Sequence, residues 1–183
     1  MIRADLSPIE GSSYALAQMG GAALAGGLAF FVKGSTAALP DPWSSPGGSS
    51  GMTTIVFVCE ALFAFALCLV HCNVIQGTRL GEGKAGNDFF GLAMGFIYRG
   101  ATETVRSITG GLFNPSTALG LWLSDAILNR LGDLVQGRGW LLGPLVPYVV
   151  APLLGGLVAE RAYHYQAMYL RPSAQGEQGE LTA

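Results

Sequence analysis

Four long apolar runs order this sequence, separated by polar, Gly-rich and Pro-rich breaks. The first extends from about Tyr14 to Val32, is rich in Gly and Ala, and stops at Lys33. The Pro/Gly/Ser-rich stretch from Gly34 to Gly51 has a composition that denies it a helix. The second run, about Thr53 to Ile75, is interrupted only by Glu60 and His71. A polar loop, Gln76 to Asp88, leads to the third run, which is apolar from Phe89 to Tyr98 and then mixed, with Arg99, Glu103 and Arg106. The fourth, about Trp140 to Ala162, follows a polar segment from Asn129 to Arg138. A spanning helix needs about 20 mostly apolar residues, so the pattern predicts an all-α membrane protein with four transmembrane helices.

A fifth apolar stretch, Pro115 to Leu128, is too short to span. At 1.5 Å per residue it would measure about 20 Å, somewhat more than half a bilayer. It follows a break at Thr109-Gly110-Gly111 and opens Leu112-Phe113-Asn114-Pro115-Ser116. Asn is a favoured N-cap and Pro a favoured first helical residue, so Asn114-Pro115 marks a helix start inside an apolar region. Such a start at membrane depth is tolerated only where protein surrounds it or where it lines a cavity. In a cavity, its free N–H groups and positive partial charge would favour neutral hydrogen-bonding solutes and repel cations. A re-entrant turn with a capped helix and no pore is the other reading of the same residues.

Composition sharpens this picture. Half of the 183 residues are hydrophobic and 12% are charged, against about 25% charged in soluble domains, which makes lipid the solvent. The net charge of -2 offers no basic surface for nucleic acid. Cys59, Cys68 and Cys72 share one apolar run without CxxC spacing and read as small buried hydrophobes. No nucleophile–base pair or metal-ligand set is visible, so the chain reads as neither an enzyme nor a cofactor or metal binder. The region before the first run carries Asp5 and Glu10 against Arg3, unlike the basic start of a secretory signal. Small residues recur on the runs, at Gly143, Pro147, Ala151, Gly155 and Ala159 and at Gly91 and Gly95, and predict close helix packing. Arg99 and Glu103 are spaced to pair on one helical face. Tyr163, Tyr165 and Tyr169 around His164 suggest an interfacial aromatic belt. The expected organisation is an N-terminal segment over 1–12, a membrane domain over 13–166 and a disordered polar tail over 167–183.

Gly110-Gly111-Leu112-Phe113-Asn114-Pro115 resembles the pore motif of the aquaporin (major intrinsic protein) family. The stretches Tyr14–Ala22, Val58-Cys59-Glu60, Gly91–Phe96 and Pro147–Gly156 resemble that family's third, fourth, fifth and sixth spans, in order. The resemblance covers about Tyr14 to Tyr165 and places the chain on the third through sixth spans, with the second pore motif only. It implies an aquaporin-like half-fold with one re-entrant half-helix, and a channel for water or a small neutral solute. Asn114, Pro115 and Ser116 would form the pore motif. Thr102, Gly111 and Thr117 would occupy filter positions, with Thr117 where the family's selectivity arginine stands and Thr102 where water-selective members often carry His. That set is wider and less cationic than a water filter. Glu60 would brace the re-entrant loop by accepting its backbone N–H groups; a proton-relay role is the alternative. With two spans and one motif lacking, the Asn114 vestibule would collapse, be plugged by a side chain such as Phe113, or be covered by another integral membrane protein or a further copy. The competing function is that of a non-transporting structural subunit of a larger membrane complex.

Lys and Arg do not decide orientation, since five (Arg3, Arg79, Lys84, Arg161, Arg171) face four (Lys33, Arg106, Arg130, Arg138). The span count does fix relative topology. Cysteines placed at Ser7 and in the tail after Arg171 should label from the same side of sealed vesicles; labelling from opposite sides removes the four-span count.

Overall fold

The computed structural model describes residues 7–34, 50–76, 89–128 and 145–169, and every element in them is helical. The helices are α1 (Pro8–Lys33), α2 (Ser50–His71, running on through a π-helical turn at Cys72–Gln76), α3 (Phe90–Val105), α4 (Pro115–Leu128) and α5 (Leu145–Tyr169). The polar segment Asn129–Arg138, the tail beyond Tyr169 and most of the two other loops lie outside the described residues.

Helix α1 begins six residues before the apolar run does. Ser7 caps it: the Glu10 amide donates to the Ser7 hydroxyl oxygen (3.3 Å), and the Ser7 amide donates to Glu10 Oε2 (2.9 Å). With Pro8 at the first helical position, this capping box satisfies N–H groups that the helix itself cannot. The far end stops at Gly34, whose left-handed φ of 71° lets its amide reach the Phe30 carbonyl at 2.8 Å.

Among the described residues, three stretches are long and apolar enough to cross a membrane: α1, residues Gly51–Val74 and α5. The fourth expected span is α3, whose 16 residues rise about 24 Å. Large side chains on these helices point outward; Leu24, Phe31, Val58, Phe96, Leu153 and Val158 are all exposed. In lipid such a surface costs nothing, and helices associate through packing and polar contacts.

Helix α2 lies along α5 and α1 along α4, with α4 also against α5 and α3 against α2. Small residues set both long contacts. On α5 the predicted stripe is buried at Pro147, Ala151, Gly155 and Ala159, while Gly143 lies outside the described residues. A Cβ on Gly155 would overlap the Ala61 carbonyl oxygen of α2, and one on Gly120 would overlap the Met19 carbonyl oxygen of α1. Gly91 and Gly95 differ from expectation, because no described residue comes within 4 Å of a Cβ built there. Tyr163 also differs: it is buried, whereas Tyr165 and Tyr169 are exposed with ring centroids 4.5 Å apart. Just beyond α2, the Asn73 side chain donates through Nδ2 to the Leu69 carbonyl and to Gln166 Oε1 on α5.

Gly155→Ala and Gly120→Ala should each lower thermal stability in detergent by about 1–3 kcal/mol, since backbone on the facing helix cannot give way. Gly27→Ala, with open space around it, should be neutral or slightly stabilising. Equal effects at all three positions would show that these crossings are not close-packed.

Candidate functional site

The chain leaves α3 at Val105, doubles back through residues 106–113, and starts α4 at Pro115. This return needs backbone that most residues avoid. Gly110 and Gly111 take φ of 81° and 69°, and Phe113 takes 51°. Glycine meets such angles without strain; at Phe113 the surroundings must impose them. The imposing contacts are visible. Phe113 is buried in a cluster with Ala64, Ala101 and Val105, its ring centroid 5.4 Å from that of Phe63 and 6.4 Å from that of Tyr98. It is therefore a core residue between α2 and α3, not a plug over the loop.

The backbone N–H groups from Ile108 to Phe113 each find an acceptor, Ile108 donating to the Val105 carbonyl (2.9 Å). Thr109 donates to the Val105 carbonyl (2.8 Å) and Gly110 to the Arg106 carbonyl (3.2 Å). Gly111 donates to the Thr109 hydroxyl oxygen (3.0 Å). Leu112 donates to Glu60 Oε1 (3.4 Å) and Phe113 to Glu60 Oε2 (2.7 Å). Thr109 also hydrogen-bonds Glu60 through its side chain. Glu60 and Thr109 are both fully buried. A carboxyl placed inside a span is costly unless partnered, and here both of its oxygens are engaged.

Asn114 uses both ends of its carboxamide. Its Oδ1 accepts from the Ser116 amide at 2.9 Å, which caps α4, and its backbone carbonyl accepts from Ala118 at 3.0 Å. Its Nδ2 donates to Gln18 Oε1 of α1 at 3.0 Å. Pro115, Ser116 and Thr117 follow in the first turn, half-buried. Thr102 lies against Gly111: its Oγ1 is 3.5 Å from the Gly111 carbonyl oxygen, and a Cβ on Gly111 would come 2.8 Å from the Thr102 Cα. The fold thus joins Thr102 to Gly111, and Glu60 to the turn ahead of Asn114. Cys59, Cys68 and Cys72 are all half-buried, and no group of three potential metal-ligating side chains occurs among the described residues.

Two participants were not singled out from the sequence. Gln18 lies 96 positions from Asn114, and Thr109 sits in what reads as a helix break. A polar side chain inside an apolar run was the available signal for Gln18.

Comparison with known proteins gives two positive findings. The profile of the family described as Major intrinsic protein matches residues 1–163. A protein described as the probable aquaporin AqpM of Archaeoglobus fulgidus is 30% identical over 158 residues, which cover 84% of this chain and 57% of that protein. The chain thus spans little more than half the length of this relative. No solved structure matches significantly.

Glu60→Leu would leave the Leu112 and Phe113 amides and the Thr109 hydroxyl with one acceptor fewer each, at about 1–3 kcal/mol per stranded donor. Glu60→Gln keeps one acceptor oxygen and should cost clearly less. Thermal unfolding of the two variants in detergent checks this, and equal stabilities would refute the role of these hydrogen bonds.

Proposed function

We propose that this chain, which belongs to the major intrinsic protein family, supplies a wall and one half-helix tip of a membrane channel for water or a small neutral solute. It is a multi-pass integral membrane protein. The observation that carries the proposal is the start of α4, a capped helix N-terminus at Asn114 reached by a backbone return whose amides Glu60 holds. Glu60 braces the loop, in this reading, and keeps the half-helix dipole aimed at one point. A helix N-terminus there sets donors and positive partial charge before a passing solute. Thr102, Gly111 and Thr117 line the narrow part. They bring hydroxyls and a carbonyl but no fixed charge, which suits a neutral solute larger than water.

The opposite wall comes from protein other than the described residues. Asn114 is only half-buried and Gln18 is exposed. Lipid cannot satisfy polar groups of this kind, which cost several kcal/mol apiece in hydrocarbon. Another integral membrane protein or a further copy of the chain can.

The Asn114–Gln18 bond favours a second reading. One donor that a pore would turn to solute is spent inside the chain. A structural subunit that keeps the fold without transport needs no more than this.

The 183-residue chain alone, reconstituted as a monomer in liposomes, should show no water permeability above background. Asn114→Ala in that form should alter stability or assembly more than flux. High permeability from the monomer, abolished by Asn114→Ala, would overturn the claim that a further wall is needed. In the assembly taken from its own membrane, flux of water or a small neutral solute should be lost with Thr102→Trp, whose ring would fill the space beside Gly111. An assembly without flux would replace the channel reading with the subunit reading.

A further inference from the structure

We infer that Tyr98 is a specificity-determining residue of the passage at Asn114. Its hydroxyl hydrogen-bonds the solute there and favours a neutral solute with several hydrogen-bonding groups over water. The inference rests on the channel reading above and adds to it a residue of α3.

The helix face comes first. Tyr98, Thr102 and Val105 stand at i, i+4 and i+7, which is one face of α3. That face meets the re-entrant return. Val105 shares the buried cluster that holds the Phe113 ring, and Thr102 lies against Gly111. Tyr98 is the next position along the same stripe, about 6 Å from Thr102 along the helix axis. Its ring stands edge-on to that of Phe113, with centroids 6.4 Å apart and planes at 84°. Asn114 is the residue after Phe113, so Tyr98 belongs to the level of the α4 tip.

Cover comes next. The return lies over Thr102 and Val105 and stops at Asn114, where α4 begins. Tyr98 stands at that end of the return and is 47% exposed. Its exposure differs in kind from that of the outward side of α3. Arg99 and Glu103 lie round the helix from it and pair with each other at 2.7 Å. Phe96, two positions away and therefore on the opposite side, is 70% exposed.

Chemistry gives the role. A tyrosine hydroxyl both donates and accepts. Among the described residues, that of Tyr98 has no hydrogen-bond partner. Hydrocarbon would leave it unsatisfied, whereas an aqueous passage would not. Asn114 beside it gives one Nδ2 proton to Gln18 and keeps a second. The two groups come from different elements, α3 and the tip of α4, and both border the same space. A solute with several hydrogen-bonding groups can engage them together. Water gains less, since each bond to the hydroxyl replaces one to a neighbouring water.

The test uses the assembly from its own membrane, reconstituted in liposomes, with water and glycerol as the probes in stopped-flow light scattering. Tyr98→Phe keeps the ring against Phe113 and removes only the hydroxyl. The ratio of glycerol to water permeability should fall between about twofold and tenfold, the effect of one neutral hydrogen bond. The ratio cancels differences in the amount of protein per vesicle. Thermal stability should match that of the wild type; a merely structural hydroxyl would move stability and leave the ratio alone. Accessibility gives a second measurement. With Cys59, Cys68 and Cys72 replaced by Ala, Tyr98→Cys should react with a small water-soluble methanethiosulfonate, and Phe96→Cys should not. An unchanged ratio in Tyr98→Phe, a wild type that passes water alone, or a cysteine at 98 as unreactive as one at 96 would overturn the inference and leave the channel standing. A wild-type assembly that passes neither probe would remove the channel reading and this inference with it.

Discussion

The Glu60 carboxyl group and the amides it holds are the contact on which the rest of the site depends. A chain that turns back inside a membrane exposes backbone N–H groups that no regular helix satisfies, and lipid offers no acceptor. In this chain Glu60 accepts from Leu112 and Phe113, and Thr109 takes Gly111. With these acceptors in place, the left-handed angles at Gly110, Gly111 and Phe113 become affordable, and the ring of Phe113 enters the core between α2 and α3. The start of α4 then follows by geometry alone. Removing the acid would loosen the polar turn and the apolar contact together, because Phe113 takes part in both, its amide on Glu60 and its ring in the core.

The helix packing protects this arrangement from one side. Helix α2, which bears Glu60, is locked along α5 by Gly155 and its neighbours, while α4 is held against α1 through Gly120 and Gly26. Both contacts are close enough that backbone meets backbone, so the level of Glu60 relative to the turn is set by small residues a long way from it in sequence. The other side is different. Gly20, Gly21 and Gly27 of α1 and Gly91 and Gly95 of α3 meet no described residue within 4 Å of a Cβ built on them. Glycines thus mark two kinds of surface, one closed against a neighbouring described helix and one not.

Much of this was legible in the sequence. Helix α4 has the bounds, Pro115 to Leu128, that an apolar stretch opened by Asn-Pro predicts, because capping and proline chemistry are local. The Arg99–Glu103 pair and the α5 stripe were legible for the same reason: spacing on a helix is fixed by its pitch. The start of α1 was also locally encoded, in Ser7-Pro8 and Glu10, yet a reading led by apolar runs passes over it because those residues are polar. Tyr163 shows a different failure. Its position among Tyr165 and Tyr169 looks interfacial, but its side of α5 faces inward, and sequence proximity does not distinguish the sides of a helix. Gly91 and Gly95 fail in the reverse sense, since a small-residue motif says that a helix can be approached closely, not that its own chain does so. Thr109 and Gln18 required the tertiary fold, being joined to their partners by the return of the chain and by a separation of 96 residues.

The hydrogen bonds of Asn114 explain why that position calls for a carboxamide. The start of α4 needs an acceptor for the Ser116 amide, which Asp, Ser or Thr would also supply. The facing Gln18 offers its own carbonyl oxygen and so needs a donor. A carboxylate has no proton to give, and a hydroxyl has a single one on a shorter arm. Asn accepts and donates through one planar group, and its NH2 carries a second proton beyond the one given to Gln18. In the channel reading, that remaining donor, beside the N-terminal end of a helix dipole, is the group a solute would meet first. The bond to Gln18 therefore orients the side-chain amide as much as it occupies it, and in the channel reading a held amide would lose less freedom on donating its second hydrogen bond than a mobile one.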